Sequence, residues 1–239
     1  MQRNEKISDS VARAIVAQVT EEGLPSGAIL ESEAEMMERY GVSRGSLREA
    51  LRILEVLGFV YMKPGPKGGP VLLTPNSKQF SAMAALFFHR IGVQYTNLLE
   101  MRLILEPEAA ALAAERRTPE QIRVLEDYLQ RSEQARLKDD RQFRAVGQGF
   151  HDLIADMAGN GILSLVIHSC YDLFADKSTG FLYPHDERKC VKDIHDKIAR
   201  AVIKGDAKRA RDLMRDHMQD YLTQARTQFP QMMEEPVRW

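Results

Sequence analysis

Ser43-Arg44-Gly45-Ser46-Leu47-Arg48-Glu49-Ala50-Leu51-Arg52-Ile53-Leu54 is the stretch on which the fold turns. Ser43 is a helix-capping residue type, and Leu47, Ala50, Leu51, Leu54 and Leu57 then follow the i, i+3, i+4, i+7 spacing of one buried helix face until Gly58. Arg44 and Arg48 lie one turn apart on the opposite side. Upstream, Ser32-Glu33-Ala34-Glu35 has the serine-to-glutamate spacing of a capping box, which predicts a short helix ending at Gly41. Residues 8 to 21 set Val11, Ile15, Gln18 and Val19 on one face before Gly23, Pro25 and Gly27 stop the helix. Two short helices joined at Gly41-Val42, behind a first helix, form a helix-turn-helix.

Downstream, Phe59-Val60-Tyr61-Met62-Lys63 and Val71-Leu72-Leu73 read as β-strands joined by Pro64-Gly65-Pro66-Lys67-Gly68-Gly69-Pro70, a hairpin that serves as a wing. In such a module the second helix enters the DNA major groove with its N-terminal residues near base edges. Arg44 and Arg48 suit guanine edges or phosphates, and Gly45 and Ser46 are small enough to let the helix end come close. Lys67 at the wing tip suits an adjacent minor groove or the backbone, and Arg52 lies one turn further along the arginine face. The competing reading is a three-helix module whose arginines only keep it soluble.

The charge distribution supports the first reading. The net charge of −1 lacks the basic excess usual for nucleic-acid binders, but it is unevenly spread. Glu21 to Glu38 holds six acidic residues and no Lys or Arg, whereas Arg39 to Lys67 holds six basic residues against Glu49 and Glu55. A local basic face can bind phosphate on a near-neutral molecule. With 239 residues, 44% hydrophobic and 28% charged, the chain is long enough for two globular domains. No apolar run can span a bilayer, and Met1-Gln2-Arg3-Asn4-Glu5-Lys6 lacks the apolar core of a secretory signal, so the expectation is a cytoplasmic protein with no membrane partner. Cys170 and Cys190 have neither zinc-ribbon nor redox spacing.

From Ser77 onward strand alternation disappears and helical segments follow at 77–91, 95–116, 119–138, 140–158, 161–175, 187–204 and 206–227. The expected fold is therefore mainly α: an N-terminal winged helix-turn-helix with a small β-hairpin over residues 1–76, an all-α helical bundle over 77–229, and a C-terminal tail over 230–239.

Leu30-Glu31-Ser32-Glu33, Tyr40-Gly41-Val42-Ser43-Arg44, Leu47-Arg48-Glu49-Ala50-Leu51, Leu54-Glu55 and Leu57-Gly58 resemble the N-terminal domain of GntR-type bacterial transcription regulators over residues 8 to 75. The resemblance implies contacts to double-stranded operator DNA through Arg44, Arg48 and Gly68. It departs at Ala34, where many such regulators carry a contacting arginine.

Of the six histidines, His151, His195 and His217 fall in the middle of helical segments beside core residues. Imidazoles so placed are either satisfied core residues or metal ligands. Phe150-His151 followed by Gly159-Asn160, His195-Asp196-Lys197-Ile198 followed by Gly205-Asp206, His217, and Arg102 with Glu106 and Ala109-Ala110 resemble the effector domain of the FadR subgroup, called FCD. That resemblance implies a homodimer, a divalent metal (Zn, with Ni as the alternative) on His151, His195 and His217, and a small carboxylate effector. The aspartate that such domains carry four residues before the first histidine is Gly147 here, which removes one anionic ligand. Arg102 is the expected effector contact through paired hydrogen bonds, against an intrahelical pair with Glu106. The leading expectation is a ligand-responsive regulator rather than an enzyme. The competitors are a metal-free sensor of acyl-coenzyme A and a three-histidine zinc enzyme, for which Asp152 is the adjacent acid but projects about 100° away around the helix.

Overall fold

The computed structural model describes residues 6–65, 68–74, 76–136, 140–178 and 185–239. The chain divides into two compact units, Met1–Gln79 and Phe80–Trp239.

In the first unit, α1 (Ile7–Glu21), α2 (Glu33–Tyr40) and α3 (Arg44–Val56) precede an antiparallel hairpin of β1 (Val60–Lys63) and β2 (Gly69–Leu72). Each start signal acts as its chemistry requires. Ser32 Oγ accepts from the Glu35 amide while the Glu35 carboxylate accepts from the Ser32 amide, and Ser43 Oγ accepts from the Ser46 amide. Gly41 closes α2 in the left-handed conformation, at φ 62°, which a side chain would strain. Leu47, Ala50, Leu51 and Leu54 are buried against Val11, Ile15 and Met36 of α1 and α2 and against Val60 and Leu72 of the hairpin. Leu57 departs from the expected stripe. The helix ends at Val56, and Leu57 caps it with 47% of its surface exposed.

The hairpin is shifted from its expected bounds. Phe59 lies before β1 and Leu73 after β2, while Gly69 and Pro70 belong to β2, paired with Lys63 and Met62. Proline is tolerated because its nitrogen, like its carbonyl, points away from β1, so no bond of the β1–β2 ladder is lost. The Pro70 carbonyl accepts from the Leu30 amide, and Gly27 and Ala28 exchange hydrogen bonds with Leu72. The segment between α1 and α2 thus runs along β2 as a third, short partner. Gly27-Ala28-Ile29-Leu30 has no alternation from which to read this.

The second unit is helical: α4 (Ser77–Ile91, within which the division falls), α5 (Tyr95–Arg116), α6 (Pro119–Arg136), α7 (Asp140–Met157), α8 (Gly161–Ser178), α9 (His185–Lys204), α10 (Ala207–Gln228) and the short α11 (Pro230–Glu234). The central helix is α5, which packs against α7, α8, α9 and α10. Its buried Ala109, Ala110, Ala111, Ala113 and Ala114 have no bulk to hold those neighbours away. Phe150, Ile154 and Met157 of α7, Ile198 and Val202 of α9, and Met214 and Met218 of α10 fill the core around it.

Residues 230–239 are more than a tail. Met233 and Val237 are buried with Tyr95, Leu98 and Phe174. The Val237 amide donates to the Val93 carbonyl, and the Glu235 carbonyl accepts from the Tyr95 amide at the start of α5. Among the described residues, no helix is long and apolar enough to cross a membrane.

Candidate metal centre and nucleic-acid interface

Three imidazoles meet in the core of the second unit. His151 lies on α7, His195 on α9 and His217 on α10, and all three are buried or nearly so. His195 Nε2 is 3.0 Å from His217 Nε2, which is 3.4 Å from His151 Nε2. Two of the outward nitrogens have fixed partners. His151 Nδ1 meets the Glu106 carboxylate of α5 at 2.5 Å, and His195 Nδ1 meets the Tyr128 hydroxyl of α6 at 3.2 Å. A carboxylate can only accept, so His151 carries its proton on Nδ1 and turns the Nε2 lone pair inward. Phe150 stacks on the His195 ring, with centroids 4.4 Å apart.

Burial and the neighbouring imidazoles disfavour the charged forms of His195 and His217. Burial first, then the neighbouring imidazoles, pushes His195 well below the ordinary histidine range, and the same causes bring His217 to about 3. Glu106 is held ionised in spite of its burial, at about 2, because Arg102 and His151 face it. The Tyr128 phenol is raised by burial and by Asp196, so it stays a neutral hydrogen-bonding group.

This donor set suits a divalent metal. Imidazole nitrogens at 2.0–2.1 Å from a tetrahedral ion would stand about 3.3 Å apart, close to the 3.0 and 3.4 Å that separate His217 from His195 and His151, and all three ligand atoms lie within 4.8 Å of one another. The carboxylate behind His151 and the hydroxyl behind His195 are the partners that orient ligating histidines. Glu106 and Tyr128 were not visible as site residues in the sequence. Their signal is a cross-helix pairing, and only the i+4 link from Arg102 to Glu106 could be read locally.

Arg102 is 4% exposed and its Nε donates to Glu106, which is 2% exposed. Its guanidinium also lies over the Tyr221 ring, 5.8 Å from the centroid. The arginine therefore faces Glu106, and through it His151. Gly147 lies one helical turn before His151. A Cβ built there would meet only His195 Cε1, at 3.9 Å, and both residues line a narrow cavity with Tyr128, Ser132 and Lys192. Asp152 turns away from the cluster, accepting from Gln148 and facing His168, so among the described residues of α7 His151 is the titratable group that meets the other two imidazoles.

In the first unit, Arg44, Gly45 and Arg48 are exposed along the start of α3, opposite the buried leucines, and Ala34 is exposed on α2. Arg48 Nε lies 3.4 Å from Glu33, and Ser46 Oγ is 3.0 Å from Ser43 Oγ, so both polar groups have a local partner. The two glycines differ. A Cβ at Gly45 would meet only Ser43 Oγ, at 3.8 Å, so the fold gains nothing from glycine there, and a helical glycine costs about 0.5–1 kcal/mol relative to alanine. At Gly68 a Cβ would lie 2.1 Å from the Lys63 carbonyl, so the hairpin itself requires glycine. Lys67 lies outside the described residues.

Comparison with known proteins agrees with both halves. Residues 7–66 match the family model described as bacterial regulatory proteins, gntR family, and residues 97–220 match the FCD domain. The HTH-type transcriptional regulator LutR of Bacillus subtilis (strain 168) is 30% identical over 203 residues, covering 82% of this chain and 90% of LutR. The HTH-type transcriptional repressor NanR of Enterobacter sp. (strain 638) is 31% identical over 165 residues, covering 68% of this chain. That match spans less than two thirds of NanR, 62%. Among solved structures, Streptococcus agalactiae GntR shares the fold with a TM-score of 0.71 at 24% identity, covering 90% of this chain and 99% of that one.

Proposed function

The chain belongs to the gntR family of bacterial regulatory proteins and carries an FCD domain, which makes it a DNA-binding transcription regulator rather than an enzyme, and on that premise we propose how it works. A homodimer binds a near-palindromic operator through the N-terminal turn of α3, and a small carboxylate in the helical domain sets the population of DNA-competent dimers. Residues 1–76 form the DNA-binding domain, and the remainder, including 230–239, forms the domain for effector and dimer contacts.

On DNA, Arg44 and Arg48 reach base edges or phosphates, Gly45 and Ser46 let the helix end approach, and Lys67 and Gly68 bring the wing to the adjacent backbone. The glycine at 45, which the fold does not need, supports close approach of something outside the chain. Arg48 exchanges its weak pairing with Glu33 for the nucleic acid.

The observation that carries the effector half is the convergence of three Nε2 atoms backed by Glu106 and Tyr128. His151, His195 and His217 would hold a divalent ion, zinc by donor chemistry with nickel as the alternative. When bound, such an ion supplies a Lewis-acidic point for a carboxylate oxygen. Arg102 keeps Glu106 ionised and in line with His151, and so enters as a positioning residue rather than an effector contact. The cavity beside His195 has room for about one water-sized group and none for an acyl-coenzyme A.

Binding-site selection from random duplex DNA, run with and without small carboxylates on zinc-loaded protein, tests the reading. The expected result is one two-fold symmetric motif whose occupancy changes with carboxylate. Arg48→Ala should weaken binding to it by about 1–3 kcal/mol, and affinity should fall steeply with salt. Selection that returns no motif, or a motif bound equally by the Arg44→Ala and Arg48→Ala variants, would remove α3 from the interface.

A further inference from the structure

The start of α2 brings a carboxylate to the reading face of α3. Of the acidic residues around that start, Glu31 accepts from Arg39 Nε at 2.8 Å and from a second guanidinium nitrogen, and Glu35 is engaged with Ser32 in the capping box. Glu33, the first residue of α2, reaches instead across to α3, where its Oε1 lies 3.4 Å from Arg48 Nε. Arg48 is mostly exposed there and Glu33 is half-buried, while the exposed Ala34 next to Glu33 adds no cation. A surface pair of this length contributes little to stability. Its meaning changes on DNA. Once Arg48 turns to the nucleic acid, the Glu33 carboxylate loses its counter-charge at the edge of the same groove, and a charge left unpaired in an interface is costly. A carboxylate can only accept, so phosphates and the O6 and N7 acceptors of guanine repel it, and thymine offers O4 and a methyl group. Adenine sets its N6 amine beside the N7 acceptor. Cytosine presents the N4 amine with no acceptor of its own on that edge.

We propose that Glu33 is a specificity-determining residue of the DNA interface, accepting a hydrogen bond from a cytosine N4 amine beside the group that Arg48 contacts and repelling DNA that lacks one. The inference rests on the α3 interface proposed above and adds a reading residue from α2. Arg48 attracts DNA of any sequence, Glu33 subtracts from that attraction wherever no donor meets it, and the difference between the two is specificity. The competing role is structural: an acidic residue in the first turn favours the helix dipole of α2 and holds Arg48 in the free protein.

The test takes the full chain as parent, Glu33→Ala, Glu33→Gln and Arg48→Ala through binding-site selection from random duplex DNA, then titrates each with the parent's selected duplex and with a scrambled duplex at one fixed salt concentration. The parent's motif should hold a cytosine whose replacement costs about tenfold or more in affinity. Glu33→Ala should lose that preference and keep the positions that depend on Arg44 and Arg48. Glu33→Gln should prefer adenine there, because an amide matches N6 and N7 together. Both should bind the scrambled duplex about threefold more tightly than the parent, the scale of one exposed charge interaction. Urea unfolding checks that every variant is folded. A structural role alone would change affinity for both duplexes by the same factor and leave every base preference in place, and that result overturns the proposal while leaving α3 in the interface. Arg48→Ala that binds the selected duplex as tightly as the parent overturns the α3 reading itself.

Discussion

Replacing Glu106 with glutamine separates the two roles the structure gives this carboxylate. Its Oε1 accepts from Arg102 and its Oε2 meets His151 Nδ1, both at 2.5 Å, and both arginine and glutamate are almost wholly buried. The glutamine is nearly isosteric, but it leaves the Arg102 guanidinium without a counter-charge. Breaking a buried pair from one side costs about 3–5 kcal/mol, and the retained amide oxygen should put this variant near the lower end. For zinc, losing the carboxylate behind a ligating histidine costs about 10- to 100-fold in affinity, equivalent to about 1.4–2.8 kcal/mol. Both effects go the same way, so a second variant is needed. Arg102→Met combined with Glu106→Gln removes the orphaned cation, and an apolar replacement of a buried ion pair is often close to neutral for stability. Urea unfolding of chelator-treated protein reads the first quantity, and competition titration with zinc reads the second. Stability should recover in the double variant while zinc affinity stays low. If zinc affinity recovers in step with stability, or if Glu106→Gln binds zinc within twofold of the parent, the carboxylate does not tune the histidine and the argument for its role fails.

Two further outcomes follow from burial. In the metal-free protein, His195 and His217 resist protonation when folded, whereas unfolded imidazoles take up protons near the ordinary histidine value of 6.5. The unfolded state then binds more protons, so stability is greatest above pH 7 and falls as pH drops towards 5. His217, at about 3, contributes about 2 kcal/mol of that loss, and a urea midpoint that is flat from pH 7 to 5 would contradict it. Truncation after Glu234 removes buried Val237 with its amide bond to Val93 and its carbonyl contact with His89, and Glu235, whose carbonyl accepts from Tyr95 and whose amide donates to Met232. It should destabilise the second unit by about 2–4 kcal/mol in urea unfolding, from one apolar side chain, three backbone pairs and the histidine contact. A change under 0.5 kcal/mol would make 235–239 dispensable.

Elements whose signals are local were legible. The capping box at Ser32 and Glu35 and the cap at Ser43 involve atoms three residues apart, and the leucine stripe of α3 repeats every turn, so reading along the chain was enough. The long helices of the second unit fall within a few residues of their periodicity-based bounds for the same reason. What escaped depends on partners distant in sequence. Gly27 to Leu30 lie along β2 only because a hairpin more than thirty residues later offers an edge, and Pro70 enters that strand because its carbonyl, not its nitrogen, is used. Val237 looks like the end of a tail until its burial beside Tyr95 is seen.

The same division runs through the candidate site. Histidine identity and mid-helix position marked His151, His195 and His217, but nothing local says that three helices aim them at one point. The partners that fix them come from two more helices, Glu106 on α5 and Tyr128 on α6, 45 and 67 residues away from their histidines. Arg102 shows where a sequence leaves two readings open. Its fork suits a carboxylate, and the sequence offers both an external carboxylate and Glu106 one turn on. Burial supplies what the sequence lacks, because a guanidinium enclosed in the core must meet a counter-charge inside the fold, and Glu106 is there to meet it. Gly147 is the converse case, since its lack of a side chain can be read in the sequence. That this lack falls beside His195, at the edge of the narrow cavity the two residues share with Tyr128 and Lys192, is a property of the packing that only the assembled helices reveal.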